Sequence, residues 1–408
     1  MNIGLYGIGG LYNYGCEAIV RGTYYILKSV LGSNCNIVYF SKYYEFDSKQ
    51  LEDLDICVVA LEEKWNLFER ILNKIMRFLN IPYRFGEHNS KIVCSKIDCV
   101  FLIGGDIFTI PEYLRNKRVY QYYNPLIQFG TSLNNKNIKQ VLFGASIGPF
   151  GEYKKAKKYY FSFLKKIDLI VARENRCIDY LTENSIVSNL SFFPDPAFFV
   201  SNGERFDSVC DYIGINLSEL SLREVYGNVS SNILDSCANL VKTIHYETGL
   251  KILLIPHVFS PFSDSDNDYS FLKKIHQLLD PQTKKSVSLS EPKSFLDAKK
   301  YIRKCKLVVT ARMHCGISAV SELVPTIFLS YSEKTKGIVK YIYNDSKSFL
   351  HLSKIDKDLV PLVHHHLNKL KEMRLVLESR MPQIKNEIND NELFLSKIKS
   401  VCMSNGKK

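Results

Sequence analysis

Arg312 and His314 stand just after the apolar run Leu307-Val308-Val309, and Lys334 follows a second run, Thr326-Ile327-Phe328-Leu329, with Tyr331 in between. Both runs are short and carry β-branched residues, which favours strands, and 316–323 between them has the length of one crossover helix. The segment therefore predicts a parallel β-α-β unit. In an open parallel sheet, ligands lie beyond the carboxyl ends of the strands, so a guanidinium, an imidazole and an ammonium would gather there around an anion. Arginine offers carboxylate or phosphate a planar fork, and lysine a point charge. Histidine, which titrates near neutrality, could move a proton beside them.

The same arrangement recurs along the chain. Asp98-Cys99-Val100-Phe101-Leu102-Ile103 predicts a strand ending in Gly104-Gly105-Asp106. Its glycines would let a ligand approach the backbone, with Asp106 either facing that ligand or capping the next segment. Ala172-Arg173-Glu174 puts an arginine at another strand end, to bind an anion or to form a surface salt bridge with Glu174. Ile255-Pro256-His257 ends a further strand. Near the start, Gly4-Leu5-Tyr6-Gly7-Ile8-Gly9-Gly10 lacks the Gly-Lys-Ser/Thr of a P-loop, and Tyr12 breaks the dinucleotide pattern. A loop of this kind entering a helix at Gly15 could still present N–H groups to an anion or a sugar, or be only a tight turn.

Positioning these residues requires strands at 2–6, 36–39, 55–60, 98–103, 140–144 and 168–171, then at 212–216, 251–256, 307–310 and 326–330, with helices such as 16–30 and 155–166 between them. Such alternation implies doubly wound parallel sheets, and 408 residues suffice for two cores. The expected architecture is α/β, with two Rossmann-like lobes facing across a cleft. Ser201-Asn202-Gly203-Glu204 reads as the linker, giving lobes 1–204 and 205–408, and the charged helical stretch 356–399 would finish the second lobe or cross back to the first.

With 46% hydrophobic and 24% charged residues, the chain is a folded globular one. The start lacks the pattern of a secretory signal, and no apolar run approaches the ~20 residues that span a bilayer. The eleven cysteines include no CxxC pair, and Cys57, Cys99 and Cys305 fall in expected core elements. Neither a disulfide framework nor a zinc site follows, and a reducing cytoplasm is the expected setting.

A net charge of +12 favours acidic partners, but no nucleic-acid-binding motif occurs, and Lys154 to Lys166 reads as a solvated helix face. The acidic run at 264–268 departs from a calcium loop at Tyr269 and Ile275 and reads as a polar loop capping a helix that starts near Tyr269. His364-His365-His366 reads as a solvated face, so no metal is expected. The segment 64–80 is strongly amphipathic: Trp65, Leu67, Phe68, Ile71, Leu72, Ile75, Met76, Phe78 and Leu79 fall on one arc, with Arg70, Lys74 and Arg77 on the other. It suits a helix lying in a membrane interface or one packed on the sheet.

Taken in order, several segments resemble the polysaccharide pyruvyl transferase family. They are Asn13-Tyr14-Gly15-Cys16-Glu17-Ala18-Ile19, Ile103-Gly104-Gly105-Asp106, Gly144-Ala145-Ser146-Ile147-Gly148-Pro149, Ala172-Arg173-Glu174, Asp195-Pro196-Ala197-Phe198, Gly214-Ile215-Asn216, Pro256-His257, Ala311-Arg312-Met313-His314, and Ser330-Tyr331 through Lys334 to Gly337. Each piece alone is common; their order over most of 2–338 is specific. Cys16 stands where the family often has aspartate, and Cys177 where a serine is frequent.

The resemblance implies a GT-B-like fold. It also implies a reaction in which phosphoenolpyruvate, as co-substrate and without a further cofactor, donates a pyruvyl group to two sugar hydroxyls, giving a cyclic ketal and phosphate. On that basis His314, Arg312 and Asp106 would be catalytic, and Arg173, Lys334, Asn13, Gly15, Glu17, Gly105, His257 and Tyr331 would bind substrate. The expected acceptor is a lipid-linked precursor of a surface polysaccharide at the inner face of the cytoplasmic membrane. The alternatives are a glycosyltransferase using a nucleotide sugar, which would need a carboxylate for the ribose, and a non-catalytic carbohydrate-binding relative.

Overall fold

The computed structural model describes residues 1–32, 35–62, 65–134, 136, 138–200, 211–331 and 333–403, the side chains of Glu333 and Lys334 excepted. The chain forms two compact units. One comprises Met1–Leu11, Thr23–Pro196 and Glu387–Lys408, the other Tyr12–Gly22 and Ala197–Asn386. The linker expected at 201–204 and the boundary near 205 lie outside the described residues; the chain passes from the first unit to the second between Pro196 and Ala197.

The first unit is built on a seven-stranded sheet of β1 (Asn2–Tyr6), β2 (Asn36–Ser41), β3 (Ile56–Ala60), β4 (Cys99–Ile103), β5 (Lys139–Ala145), β6 (Leu169–Ala172) and β7 (Leu190–Phe192), in the order β3-β2-β1-β4-β5-β6-β7. Every pairing is parallel. Central strands such as β4 and β6 are buried along their whole length because helices cover both faces, which is why they read as continuous apolar runs. At the edge, β3 is only half covered, and Cys57 is exposed there instead of lying in the core.

The second unit holds β8 (Tyr212–Asn216), β9 (Lys251–Leu254), β10 (Val287–Leu289), β11 (Cys305–Thr310), β12 (Thr326–Ser330) and β13 (Phe349–His351), all parallel, in the order β10-β9-β8-β11-β12-β13. Both units are thus parallel α/β layers. The carboxy-terminal stretch forms helices Ile355–Asn368, Leu370–Asp390 and Glu392–Met403. The last is anchored in the first unit: Phe394 stacks on Phe193 at 4.0 Å, and Lys397 Nζ donates to the Leu190 carbonyl at 2.6 Å. His366 departs from the expected solvated face, for it is buried with Nε2 3.0 Å from Ser348 Oγ.

Candidate functional site

In the second unit the strand ends converge as a parallel sheet dictates. Register places Thr310 of β11 opposite Asn216 of β8 at the carboxyl edge. Asn216 is the hub: its Oδ1 accepts from Thr310 Oγ1 and from the Arg312 N–H, both at 3.1 Å. Its Nδ2 donates to Asp268 Oδ2 at 3.1 Å and to the Ile255 carbonyl at 2.9 Å. Asp268, the first residue of helix Asp268–Leu278, also accepts the His257 N–H at 3.1 Å. Its Oδ1 takes Arg312 Nε at 3.1 Å and Nη2 at 2.9 Å, and Asp266 accepts Nη2 as well, at 2.7 Å.

Arg312 is therefore a fixed fork held from below. Asp268 is 1% exposed and Asp266 35%, so one of its two carboxylates is buried and the other meets solvent. Burial alone would lower the guanidinium's pKa, but Asp268 and Asp266 outweigh it and the shift is upward. Nη1 takes part in none of these bonds. The sequence alone gives Asp266 and Asp268 only a place in a polar loop that caps the next helix, and that helix does start at Asp268; their pairing with Arg312 is visible only in the fold.

His314 is the second residue of helix Met313–Ser321, which follows the N-cap Arg312 and whose leading N–H groups point out of the intrahelical ladder as at every helix start. The segment Tyr12–Gly22 belongs to this unit and lies against the histidine. A Cβ on Gly15 would come within 2.7 Å of His314 Nδ1 and 2.9 Å of its Cβ, so only glycine lets the imidazole sit there. Asn13 builds the turn, its Oδ1 accepting the Gly15 N–H at 2.9 Å and its backbone bridging Val258. Replacement of Gly15 by alanine should leave the fold intact and cut turnover by displacing the ring; circular dichroism alongside a rate measurement checks it, and unchanged turnover would contradict the contact's importance.

His257 is fully buried between Tyr14 and Phe295, ring centroids 5.8 and 6.1 Å away. Neither of its ring nitrogens has a hydrogen-bond partner among the described residues. Burial, then repulsion from His314 and Arg312, pushes its pKa down to about 3. The folded state refuses a proton that the unfolded chain takes up near pH 6.5, so stability should fall as pH drops from about 6.5 to about 3, by roughly 1.4 kcal/mol per unit. Urea midpoints across that window should fall more steeply for the wild type than for His257→Asn; parallel curves would contradict it.

Other expected site residues have defined partners. Glu17 is buried, paired with Arg21 at 2.7 Å, and accepts the Phe295 N–H at 2.9 Å, capping helix Phe295–Ile302. Substrate contact is thus not what occupies this carboxylate. Tyr331 packs on the unit's core. The side chain of Lys334 lies outside the described residues.

In the first unit, Gly105 and Asp106 follow β4, and Asp106 is exposed. Arg173 after β6 is buried: Nη1 meets Asp195 Oδ2 at 2.6 Å, and Nη2 donates to Ser146 Oγ at 3.0 Å. Ser146 in turn donates to Glu174 Oε1 at 2.6 Å. Burial lowers the Arg173 pKa, while Asp195, Glu174 and Asp106 raise it further, for a net upward shift. The anion-binding role suggested for Arg173 thus meets a guanidinium already matched by carboxylates, in a buried network instead of a surface pair with Glu174. Among the described residues, no group of three or more metal-ligating side chains occurs.

Residues 13–333 match a family model described as polysaccharide pyruvyl transferase. No curated protein matches the chain. Among solved structures, a glycosyltransferase from Rickettsia africae is similar over 100% of this chain and 98% of its own, at 14% identity and a TM-score of 0.54. A putative UDP-N-acetylglucosamine 2-epimerase from Listeria monocytogenes is similar over 98% and 95%, at 13% identity and TM-score 0.57. The UDP-GlcNAc 2-epimerase from Neisseria meningitidis, bound to UDP-GlcNAc, is similar over 98% and 99%, at 11% identity and TM-score 0.56. These likenesses show the fold, GT-B-like α/β.

Proposed function

Because the chain belongs to the polysaccharide pyruvyl transferase family, we propose that it transfers a pyruvyl group from phosphoenolpyruvate to a sugar of a surface-polysaccharide precursor. The observation that carries this reading is the Arg312–His314 pair, a fork with a spare Nη1 beside an imidazole at a helix start. One sugar oxygen adds to C2 of the enol ester while the methylene carbon takes a proton and becomes a methyl. The C2–O bond to phosphate then breaks, and the second hydroxyl oxygen closes the ketal. The two hydroxyl protons are accounted for, one on the new methyl group and one on the departing phosphate.

His314 is assigned the proton transfer to carbon, and Arg312 with the helix start the donor's anionic groups. Asp106 is assigned to orient the acceptor hydroxyl. Release of phosphate from phosphoenolpyruvate in the presence of sugar acceptors tests the reading. Stabilisation by nucleotide sugars alone would replace it with glycosyl transfer.

Arg312's carboxylates make a further prediction. Asp266 is partly exposed, so its pair with Arg312 is weak and competes with an anionic donor. Asp266→Asn should lower the KM for phosphoenolpyruvate several-fold. Asp268→Asn should raise it and lower kcat, since the fork loses its anchor. Equal effects of the two substitutions would contradict the assignment.

The acceptor is assigned to a lipid-linked carrier on an anionic membrane face, the cytoplasmic leaflet. Support comes from helix Leu67–Phe78, which is turned inside out. Its Asn73 faces the protein, Nδ2 donating to the Phe85 carbonyl at 3.1 Å and Oδ1 accepting the Phe85 N–H at 2.7 Å. Leu67, Phe68, Ile71, Ile75 and Phe78 face solvent, with Phe78 90% exposed. Arg70, Lys74 and Arg77 are exposed beside them, each worth roughly 1 kcal/mol near anionic lipid.

No helix among the described residues is long and apolar enough to cross a membrane. In co-sedimentation at low salt, the protein should pellet with anionic vesicles. A Phe68→Ser/Phe78→Ser variant, whose changes touch only exposed side chains, should fold and stay in solution. Equal behaviour of the two proteins would remove the membrane seat.

A further inference from the structure

The first unit holds a cleft of about 380 Å³, open to solvent, that neither the donor chemistry nor the family resemblance uses. It lies at the carboxyl ends of β1 to β4, bounded by Gly7, Lys42, Leu61 and Ile107, where β1 has β2 on one side and β4 on the other. This is the switch point of the sheet, the position at which parallel α/β layers take ligands.

Two side chains of its wall carry polar atoms without a hydrogen-bond partner among the described residues. Arg84 is 5% exposed. Its Nη1 is spent on the carbonyls of Ile81 and Tyr83, at 3.0 and 2.6 Å. Among the described residues its Nε and Nη2 have no hydrogen-bond partner, and no carboxylate pairs with it. The guanidinium lies over the Tyr123 ring at 4.5 Å, and its backbone is pinned by Gln128, which accepts the Arg84 N–H at 2.8 Å. The second group is Asn89, 8% exposed, whose Oδ1 is buried without a partner. Burial lowers the Arg84 pKa, the expected response of a desolvated cation without a counter-charge.

A buried guanidinium with two donor atoms uncommitted calls for an anion. The rest of the wall limits which anion. Glu62, Glu87 and Asn89 supply acceptors that suit hydroxyl donors and oppose a bare polyanion, while Trp65 and Tyr123 add aromatic rings to the wall. The ligand then has one anionic end and a hydroxyl-rich body. We propose that this cavity binds a glycosyl phosphate, with its phosphate on Arg84 and Lys42 and its sugar against Asn89 and the aromatic wall. The proposal rests on the transfer reading only in making that ligand the acceptor; the binding itself requires no donor.

Trp65 is the chain's only tryptophan and lines the cavity, so its emission reports occupancy. Titration with hexose 1-phosphate, without phosphoenolpyruvate, should change Trp65 emission saturably, while the free hexose should not. Arg84→Gln should weaken that binding by roughly ten- to a hundred-fold. If Arg84→Gln fails to fold, Lys42→Gln should weaken it several-fold.

A UDP-hexose and a short-chain lipid diphosphate sugar form two further arms, and whichever binds more tightly identifies the source of the glycosyl phosphate. Equal binding of hexose and hexose 1-phosphate, no emission change with either, or undiminished affinity in folded Arg84→Gln and Lys42→Gln would overturn the proposal. So would a Trp65 response to phosphoenolpyruvate that Arg84→Gln abolishes, since the cavity would then be the donor site. If hexose 1-phosphate binds through Arg84 but no donor ever yields phosphate, the transfer reading fails and the cavity assignment stands.

Discussion

Replacement of His314 by alanine is expected to lower kcat for phosphate release from phosphoenolpyruvate by roughly 10²–10⁴-fold, the range for loss of a positioned general acid or base. The imidazole is seated at the start of helix Met313–Ser321 over Gly15, where any larger residue would displace it. Arg312, held by Asp268 through Nε and Nη2, does not depend on that ring for its orientation. The variant should therefore keep its KM for phosphoenolpyruvate within a few-fold while turnover collapses. Steady-state kinetics with malachite-green detection, paired with a thermal melt to exclude misfolding, separates the two parameters. A large KM increase with kcat preserved would make His314 a binding group, and undiminished turnover would remove it from the chemistry.

The second large effect is on stability. Arg173→Ala would leave Asp195 and Glu174 buried without their counter-charge. Breaking a buried ion pair from one side costs on the order of 3–5 kcal/mol, a large share of the stability of an ordinary domain. Urea denaturation should show the midpoint falling accordingly, with Arg173→Lys recovering part of it by retaining the charge but losing the second donor to Ser146. If Arg173→Ala instead folds with near-native stability but loses affinity for phosphoenolpyruvate, the guanidinium binds the donor and its pair with Asp195 opens to let it.

The inner strands were legible because parallel strands buried on both faces read as apolar runs, as β4 does along its length and β11 does over Leu307-Val308-Val309. The strands that escaped, β7, β10 and β13, are three-residue edges, too short to carry a pattern and paired on one side only. Arg312 and His314 could be placed because they directly follow a strand. Asp268 could not, since its role depends on Asn216, 52 residues away in sequence, turning its amide toward it. Nor could the allegiance of Tyr12–Gly22, which follows β1 of the first unit yet packs in the second through Tyr14, Gly15 and Glu17. Amphipathicity located the helix near residues 64–80, but a hydrophobic arc does not say which side the protein covers. That is decided by Asn73, whose side chain replaces backbone partners for Phe85.

The proposed donor is phosphoenolpyruvate, bound through Arg312 and protonated through His314. The most direct measurement is mass spectrometry of a lipid-linked oligosaccharide acceptor after incubation with the protein and phosphoenolpyruvate, with phosphate release followed in parallel. Conversion to a pyruvate ketal with one phosphate released per product, absent in Arg312→Ala and His314→Ala, is the predicted result. Sugar transfer from a nucleotide sugar, with phosphoenolpyruvate untouched under all conditions, would contradict it.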